Sequence, residues 1–176
     1  MENKVSAPEY VKRVYSRRGL VKALRIISDA SVILTVLVFL GAVIWLLHTA
    51  PYRACGMAIV CAVPYIAVSV FRKLFNAPRP YELYDMTELT ETAPHKAKGA
   101  SFPSRHVFSA FVISSVLFFV NIPLGIITAV LGVTLAVLRV LLCIHFVRDT
   151  FAGALIGIIS GLSGVLILDG GIFSVI

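Results

Sequence analysis

The chain has 176 residues, of which hydrophobic types make up 59% and charged types only 14%. Soluble domains average roughly 45–50% and about 25% in these two classes, so the composition excludes an ordinary soluble protein. The formal net charge is +7, but no basic stripe interleaved with exposed aromatic residues indicates a nucleic-acid partner. In a membrane protein such a charge is typical of cytoplasmic span ends and of contacts with anionic lipid headgroups.

Residues 1–25 form a basic segment ahead of the first apolar stretch, and they contain seven Lys or Arg residues. Within this segment, large apolar or aromatic residues recur at helical spacing: Tyr10, Val11, Val14 and Tyr15. This pattern predicts an amphipathic helix that lies at the membrane interface and is anchored to anionic lipid headgroups.

Five uncharged stretches follow, and each is typical of a membrane-spanning helix. They are Ala30–Leu47, Ala54–Phe71, Val107–Val120, Ile122–Leu138 and Phe151–Leu168. About 20 helical residues cross a hydrocarbon core of roughly 30 Å, so most stretches are long enough once their flanks are included. We therefore predict an all-α fold. It is a polytopic transmembrane helix bundle of about five spans plus the N-terminal helix, with residues 26–176 as a single domain and a short third span.

The connections between the spans differ in how clearly the sequence marks them. The Pro51–Arg53 stretch predicts a turn after the first span, and Asn121–Pro123 predicts a tight turn before the fourth. No Gly or Pro lies between Arg139 and Phe151, yet the chain must reverse there, because one continuous helix would carry charges through the bilayer. Residues 76–102 form the only long polar loop, which in so small a protein is usually functional or disordered.

Charged residues cluster at three points where spans begin or end. These points hold Arg72, Lys73 and Arg79; then Ser104, Arg105 and His106; and finally Arg139, His145 and Asp149. Taken alone, each cluster has a structural explanation, since a basic pair at a span end commonly anchors a helix and a lone His is commonly a structural residue. If the spans alternate in direction, however, all three clusters reach one face. Together they would form an anion-attracting pocket with acid–base capacity.

Such a pocket suits phosphoryl transfer, in which positioning and charge neutralisation dominate catalysis. Arginine forks bind phosphoryl oxygens, and Ser104 with the first-turn N–H groups of its helix can donate to the same anion. Asp149 lies one turn after His145 and can orient this imidazole as a nucleophile, which leaves His106 to protonate the leaving oxygen. We expect neither metal nor cofactor, because two histidines can divide these roles and no second carboxylate lies near His145 in the sequence.

At these residues the chain resembles the type-2 phosphatidic acid phosphatase superfamily. The family pattern has three blocks, Lys-x6-Arg-Pro, Pro-Ser-Gly-His and Ser-Arg-x5-His-x3-Asp. This chain reads Arg72-x6-Arg79-Pro80, Pro103-Ser104-Arg105-His106 and Leu138-Arg139-x5-His145-x3-Asp149. Order and spacing therefore match from residue 72 to residue 149. The departures are Arg72 for Lys, Arg105 for Gly and Leu138 for Ser, and Lys73 is the alternative residue for the Lys position.

The resemblance implies roles for these residues. His145 would be transiently phosphorylated, Asp149 would orient it, and His106 would act first as general acid and then as base. The remaining candidates would bind phosphate, with Arg105 facing a second phosphate or the lipid headgroup: Arg72, Lys73, Arg79, Ser104, Arg105 and Arg139.

We therefore expect an integral-membrane, metal-independent lipid phosphatase that acts through a phosphohistidine. Its candidate substrates are phosphatidic acid, phosphatidylglycerol phosphate and isoprenyl phosphates or diphosphates. The alternatives are a lipid phosphotransferase with the same intermediate and a non-catalytic lipid-binding membrane protein. The expected partners are the membrane lipid substrate and anionic headgroups at the N-terminal segment, with the oligomeric state left open.

The expected location is the plasma membrane. On the predicted topology, 15 of the 16 Lys and Arg residues, all except Arg53, lie on the face that holds the N-terminus and the pocket. The positive-inside rule then places the pocket in the cytoplasm, whereas members of the resembled family commonly carry their site outside it.

Overall fold

The computed structural model describes residues 4–85 and 98–168, and the regular secondary structure of this part of the chain is helical apart from one short strand pair. The helices are α1 (Glu9–Tyr15), α2 (Arg18–Thr49), α3 (Pro51–Phe75), α4 (Pro80–Leu83), α5 (Arg105–Phe118), α6 (Ile122–Leu141) and α7 (Val147–Leu168). Strands β1 (Val5–Ser6) and β2 (Tyr84–Asp85) pair in parallel. The predicted all-α class is confirmed.

Four helical segments in the described part of the chain are long and apolar enough to cross a membrane. They are α2, the Pro51–Leu83 segment that contains α3, then α6 and α7. Helix α5 has 14 residues, which at 1.5 Å per residue is about 21 Å and short of a hydrocarbon core of roughly 30 Å. The five predicted spans therefore correspond to four full-length helices and a short α5, which is the third in chain order.

Two turns are predicted on the face opposite the charged clusters, and the structure confirms one of them. The predicted turn at Pro51–Arg53 is wrong, because α3 begins at Pro51 and the connection reduces to Ala50. Proline is well placed at the first helical position, where its missing N–H breaks no hydrogen bond. The predicted turn at Asn121–Pro123 is confirmed, since the Asn121 side chain caps α6 by accepting a hydrogen bond from the N–H of Leu124 at 3.1 Å.

Helix α1 packs against the turn between α6 and α7. Val11 and Tyr15 are 0% and 3% exposed, and the Tyr15 hydroxyl donates to the carbonyl oxygen of Leu142 at 2.9 Å. A helix is present as predicted, and its Val11 and Tyr15 side chains cover the apolar surface of the 142–144 turn. Helix α1 thus braces the turn that leads to His145. Its anchoring to anionic headgroups stays a prediction.

This turn reverses the chain without Gly or Pro. Cys143 adopts a left-handed conformation with φ of 55°, which costs a non-glycine residue roughly 1–3 kcal/mol. The carbonyl oxygen of Arg139 accepts hydrogen bonds from the N–H groups of Ile144 and His145 at 3.0 and 3.2 Å. The predicted reversal is confirmed. These two hydrogen bonds and the burial of Cys143 offset the backbone cost.

Helices α5 and α7 approach each other so closely that their backbones touch. A Cβ atom added to Gly153 would lie 2.6 Å from the carbonyl oxygen of Ser104, and one added to Gly157 would lie 2.6 Å from that of Phe108. Small residues one turn apart permit this kind of contact between membrane helices. The same contact sets the height of Ser104, whose N–H donates to the carbonyl oxygen of Asp149 at 2.8 Å.

We predict that Gly157→Ala lowers the unfolding temperature in detergent, because the added methyl group must displace α5, a strain of about 1–3 kcal/mol. Gly41→Ala in α2 is the matched control, since no neighbouring heavy atom lies within 4 Å of an added Cβ there. Alanine also favours a helix over glycine by about 1 kcal/mol. Equal unfolding temperatures for the two variants in the same detergent would contradict the close α5–α7 contact.

Candidate active site

The three charged clusters meet at one end of the bundle, as the alternating topology requires. The N–H of Ser101 donates to the carbonyl oxygen of Ala77, just after α3, at 2.9 Å. The N–H of Ser104 donates to the carbonyl oxygen of Asp149 in α7. The segment before α5 is therefore hydrogen-bonded to the ends of two other helices, which joins residues that lie about 70 positions apart in the chain.

His145 and Asp149 are buried together, and Ser101 lies between them. The Ser101 hydroxyl donates to Asp149 Oδ2 at 2.5 Å and lies 3.3 Å from His145 Nδ1. The direct Nδ1–Oδ2 distance is 3.6 Å, longer than a normal hydrogen bond. Because the hydroxyl proton points to the carboxylate, the Ser101 oxygen can accept the proton of Nδ1. This tautomer leaves the lone pair of His145 on Nε2.

The Asp149 carboxylate is 0% exposed, and it is held by groups from its own turn. Oδ2 also accepts the backbone N–H of Phe146 at 3.1 Å, and Oδ1 lies 3.6 Å from Nε of Arg148. Asp149 is in the first turn of α7, where the helix dipole favours a negative charge. A buried carboxylate needs such partners to remain ionised.

The environment keeps His145 neutral near pH 7. Burial is the largest effect and lowers the pKa of His145, and the positive charges of Arg79 and Arg72 lower it further. The Asp149 carboxylate raises the pKa of His145, but not enough to outweigh these effects. A neutral imidazole with a free Nε2 is the form that can act as a nucleophile.

Arg72 has a set of contacts that the sequence does not reveal. It is 7% exposed, and its guanidinium donates to the backbone carbonyl oxygens of Ser101, at 3.2 Å, and of Pro103 and Ala100. Arg72 thus fixes the segment that carries Ser101 and Ser104. The neighbouring Lys73 is exposed, so it does not share this position.

Arg79 and Glu82 fix the other end of the same segment. Nε of Arg79 donates to the carbonyl oxygen of Gly99 at 2.9 Å. Oε1 of Glu82 accepts the backbone N–H groups of Gly99 and Arg79 at 2.7 and 3.0 Å. Gly99 has φ of 65° and packs against the Asn76 side chain, so this position requires glycine.

Two predicted phosphate ligands have buried polar atoms with no protein partner in the described residues. These atoms are the hydroxyl oxygen of Ser104 and Nε of Arg139. Unpaired buried polar groups are rare in folded proteins and call for an explanation such as a missing ligand. An anion bound here would supply acceptors for both donors.

His106 and Arg105 lie at the start of α5, beside a cavity of about 250 Å³. The guanidinium carbon of Arg105 is 5.5 Å from the ring centre of Tyr65. Within residues 4–85 and 98–168, no group of three or more His, Cys, Asp or Glu side chains is arranged to hold a metal ion.

Ser101 and Glu82 also contribute to this site, although neither is among the residues predicted from the sequence. Ser101 lies just before the Pro103–His106 block, but a single serine in a loop carries no signal of its contacts. Glu82 had a usable signal, because it is the third residue of a helix that begins with Pro80, the position typical of a capping carboxylate.

Comparisons with known proteins agree with this architecture. A family model described as the PAP2 superfamily matches residues 53–169, more than half of the chain. LpxE from Aquifex aeolicus is similar in structure, with a TM-score of 0.68 and 22% identity over 90% of this chain and 93% of its own. A transmembrane PAP2 type phosphatidylglycerolphosphate phosphatase from Bacillus subtilis also has a TM-score of 0.68. It is 19% identical, over 92% of this chain and 84% of its own. No curated protein matches the chain by sequence.

We predict that Arg72→Ala lowers the unfolding temperature in detergent far more than Lys73→Ala does. The first change leaves three backbone carbonyl oxygens without their donor, at about 1–3 kcal/mol for each buried group left unpaired. The second removes an exposed side chain. If the two alanine variants unfold at the same temperature, Arg72 does not fix the 100–103 segment.

Proposed function

Because this chain belongs to the PAP2 superfamily, we propose that it is a metal-independent phosphatase that cleaves a membrane lipid phosphate through a phosphohistidine at His145. The observation that carries this proposal is the buried array of His145, Ser101 and Asp149 beside unpaired donors of Ser104 and Arg139. A nucleophile with a free lone pair thus lies next to groups suited to a phosphoryl anion. Candidate substrates are phosphatidic acid, phosphatidylglycerol phosphate and isoprenyl phosphates or diphosphates.

The first half-reaction forms the covalent intermediate. Nε2 of His145 attacks phosphorus, while Arg79, Arg139 and Ser104 neutralise the charge on the phosphoryl oxygens. The bond to the lipid oxygen breaks, and His106 gives this oxygen its proton. Arg72 contributes to the same step indirectly. It holds the backbone segment that carries Ser101 and Ser104, and its positive charge adds to that of the other arginines.

The second half-reaction returns the enzyme to its starting state. His106, now unprotonated, takes a proton from water as the water attacks the phosphohistidine. The phosphorus–nitrogen bond breaks, and inorganic phosphate leaves. Ser101 and Asp149 keep Nδ1 protonated throughout, so that His145 is restored with its lone pair on Nε2.

A lipid substrate fits the position of these residues. They lie at the end of a bundle whose outer surface carries many exposed large hydrophobic side chains, which is typical of helices in contact with acyl chains. A lipid can therefore present its phosphate at the rim while its tail stays in the bilayer.

We predict that the purified protein releases phosphate from a micellar lipid phosphate in the presence of EDTA, and that His145→Ala lowers this rate by about 10³-fold or more. Acid quenching of the wild type with a ³²P-labelled substrate is expected to trap an acid-labile phosphoprotein that His145→Ala does not form. Undiminished release by the variant would contradict the nucleophile. Phosphate recovered on a second lipid instead of in solution would indicate a transferase.

We further propose that the active site faces the cytoplasm of a plasma-membrane protein. Helix α1 contacts the α6–α7 turn, so the basic residues near α1 lie at the same end of the bundle as the site. Arg53 is at the opposite end, after the α2–α3 connection. This charge asymmetry favours the positive-inside orientation.

Cysteine labelling tests this orientation in a variant that lacks Cys55, Cys61 and Cys143. Ser16→Cys lies at the site end and Tyr52→Cys at the other end, and both positions are exposed. An impermeant maleimide on intact cells is expected to label position 52 at once and position 16 only after permeabilisation. The reverse pattern would place the site outside the cytoplasm.

A further inference from the structure

The segment from β1 to the end of α1, residues 5–15, lies outside the part of the chain that matches the family model, residues 53–169. It nevertheless contacts two parts of the active site. Strand β1 pairs with β2, which directly follows α4, the helix that begins after Arg79. Helix α1 packs on the 142–144 turn that leads to His145. The β1–α1 segment is therefore in contact with the chain on both sides of the site.

The Tyr15 hydroxyl lies where three helices meet. It donates to the carbonyl oxygen of Leu142, the C-cap of α6, at 2.9 Å. It also forms a side-chain hydrogen bond with Arg25 of α2, which lowers the pKa of Tyr15, but burial is the larger effect and raises this pKa to about 12. The hydroxyl therefore keeps its proton at physiological pH and remains a donor to Leu142.

The direction of the chain after Leu142 decides where His145 lies. Cys143 has a φ of 55°, a conformation that a non-glycine residue keeps only when its surroundings impose it. The Leu142 carbonyl oxygen is at the end of α6, where carbonyl groups have no partner within the helix. A donor from α1 at this oxygen fixes the turn, and His145 follows three residues later with its Nδ1 beside Ser101.

The residue after His145 is also in contact with the β1–β2 pair. The ring of Phe146 meets that of Tyr84 edge to face, with ring centres 6.3 Å apart. Tyr84 belongs to β2, and its partner in β1 is Val5. The β1–α1 segment thus constrains the backbone on both sides of His145, through Tyr15 before it and through Tyr84 after it.

We propose that Tyr15 is a positioning residue for phosphoryl transfer, which acts through the Leu142 carbonyl oxygen to hold the imidazole of His145 in line for attack. This inference rests on the proposed phosphatase function and adds to it a residue from outside the family-matched part of the chain. A displacement of about 1 Å can lower a reaction rate by about 100-fold. Arg139 and Ser104 are held within α6 and by the hydrogen bond to α7, so loss of the hydroxyl affects attack more than phosphate binding.

The test is Tyr15→Phe, which removes only the hydroxyl group. The substrate is the lipid that the wild type hydrolyses fastest among phosphatidic acid, phosphatidylglycerol phosphate and farnesyl diphosphate in detergent micelles. The variant is expected to lower kcat by about 5- to 50-fold. The inhibition constant of vanadate, which bonds to the nucleophile as an analogue of the transition state, is expected to rise by a similar factor. The inhibition constant of inorganic phosphate, which needs only the phosphate ligands, is expected to change by less than about twofold.

Cys143 provides a reporter of the turn that does not depend on activity. Its side chain is 0% exposed, and burial raises the pKa of its thiol to about 12. A maleimide therefore reacts with it only when the turn opens. In a variant that lacks Cys55 and Cys61, Tyr15→Phe is expected to increase the rate of this reaction by about fivefold or more, as for loss of one buried hydrogen bond.

Two control variants separate positioning from general stability. Tyr10→Phe makes the same chemical change in α1, at a residue that is 43% exposed, and is expected to leave kcat and the labelling rate unchanged. Val116→Ala removes part of a buried side chain near the other end of α5. It is expected to lower the unfolding temperature, with kcat and the labelling rate unchanged well below that temperature.

Several outcomes would overturn the role of Tyr15. An unchanged kcat in Tyr15→Phe would do so even if Cys143 reacts faster, because the hydroxyl would then hold the turn without positioning His145. An equal loss of kcat in Val116→Ala would assign the effect to general stability, and equal rises in both inhibition constants would assign it to phosphate binding. If the wild type hydrolyses none of the three lipids, the proposed phosphatase function fails, which is a separate result, and the labelling rates still show whether Tyr15 holds the turn.

Discussion

The structure depends on one buried carboxylate, that of Asp149. A charge removed from water must be compensated by nearby donors, and here those donors come from its own turn and from the distant loop before α5. The Ser101 hydroxyl and the N–H of Phe146 donate to Oδ2 of Asp149. The backbone carbonyl oxygen of Asp149 accepts the N–H of Ser104. A single residue thereby fixes the start of α7, the loop before α5 and the orientation of His145. Loss of Ser101 or of the Phe146 N–H would remove a donor from this buried charge, so the site and the fold are stabilised by the same contacts.

The basic residues around this carboxylate divide into two groups. Arg72 and Arg79 donate to backbone carbonyl oxygens of the 99–103 segment, whereas Ser104 and Arg139 retain unpaired buried atoms. Arg72 and Arg79 shape the pocket, whereas Ser104 and Arg139 carry unpaired donors that an anion can bind. In the proposed mechanism Arg79 also contributes its positive charge to the phosphoryl site. An arginine suits the first of these roles at position 72. A planar guanidinium can reach several carbonyl oxygens at once, and an ammonium group is a single compact donor.

The close contact of α5 with α7 is the second constraint. Gly153 and Gly157 allow backbone-to-backbone approach, and this approach brings the first turn of α5 level with the first turn of α7. Helix α5 is too short to cross the bilayer alone, and Ser104, directly before its first turn, is hydrogen-bonded to Asp149 in α7. The short third helix is therefore a means of placing Ser104 and His106 at the depth of His145.

The sequence by itself determined the fold class, the approximate helix bounds and the residue types of the site. Hydropathy is a local property of about 20 residues, and the three charged blocks could be located because charges are costly inside spans. The PAP2 family was also apparent from the spacing of those blocks. The same local patterns explain the error at Pro51, since proline is compatible with both a turn and the first residue of a helix.

Only the tertiary structure determined which of these side chains form ion pairs or hydrogen bonds with one another or with the backbone. Ser101 gave no local signal, because its contacts with His145 and Asp149 come from residues more than 40 positions away. The amphipathic pattern of α1 could not indicate whether lipid or the 142–144 turn would cover Val11 and Tyr15. Likewise, Cys143 carries no signal for a left-handed turn. Contacts of this kind depend on which surfaces the packed helices bring together, and that is a property of the whole chain.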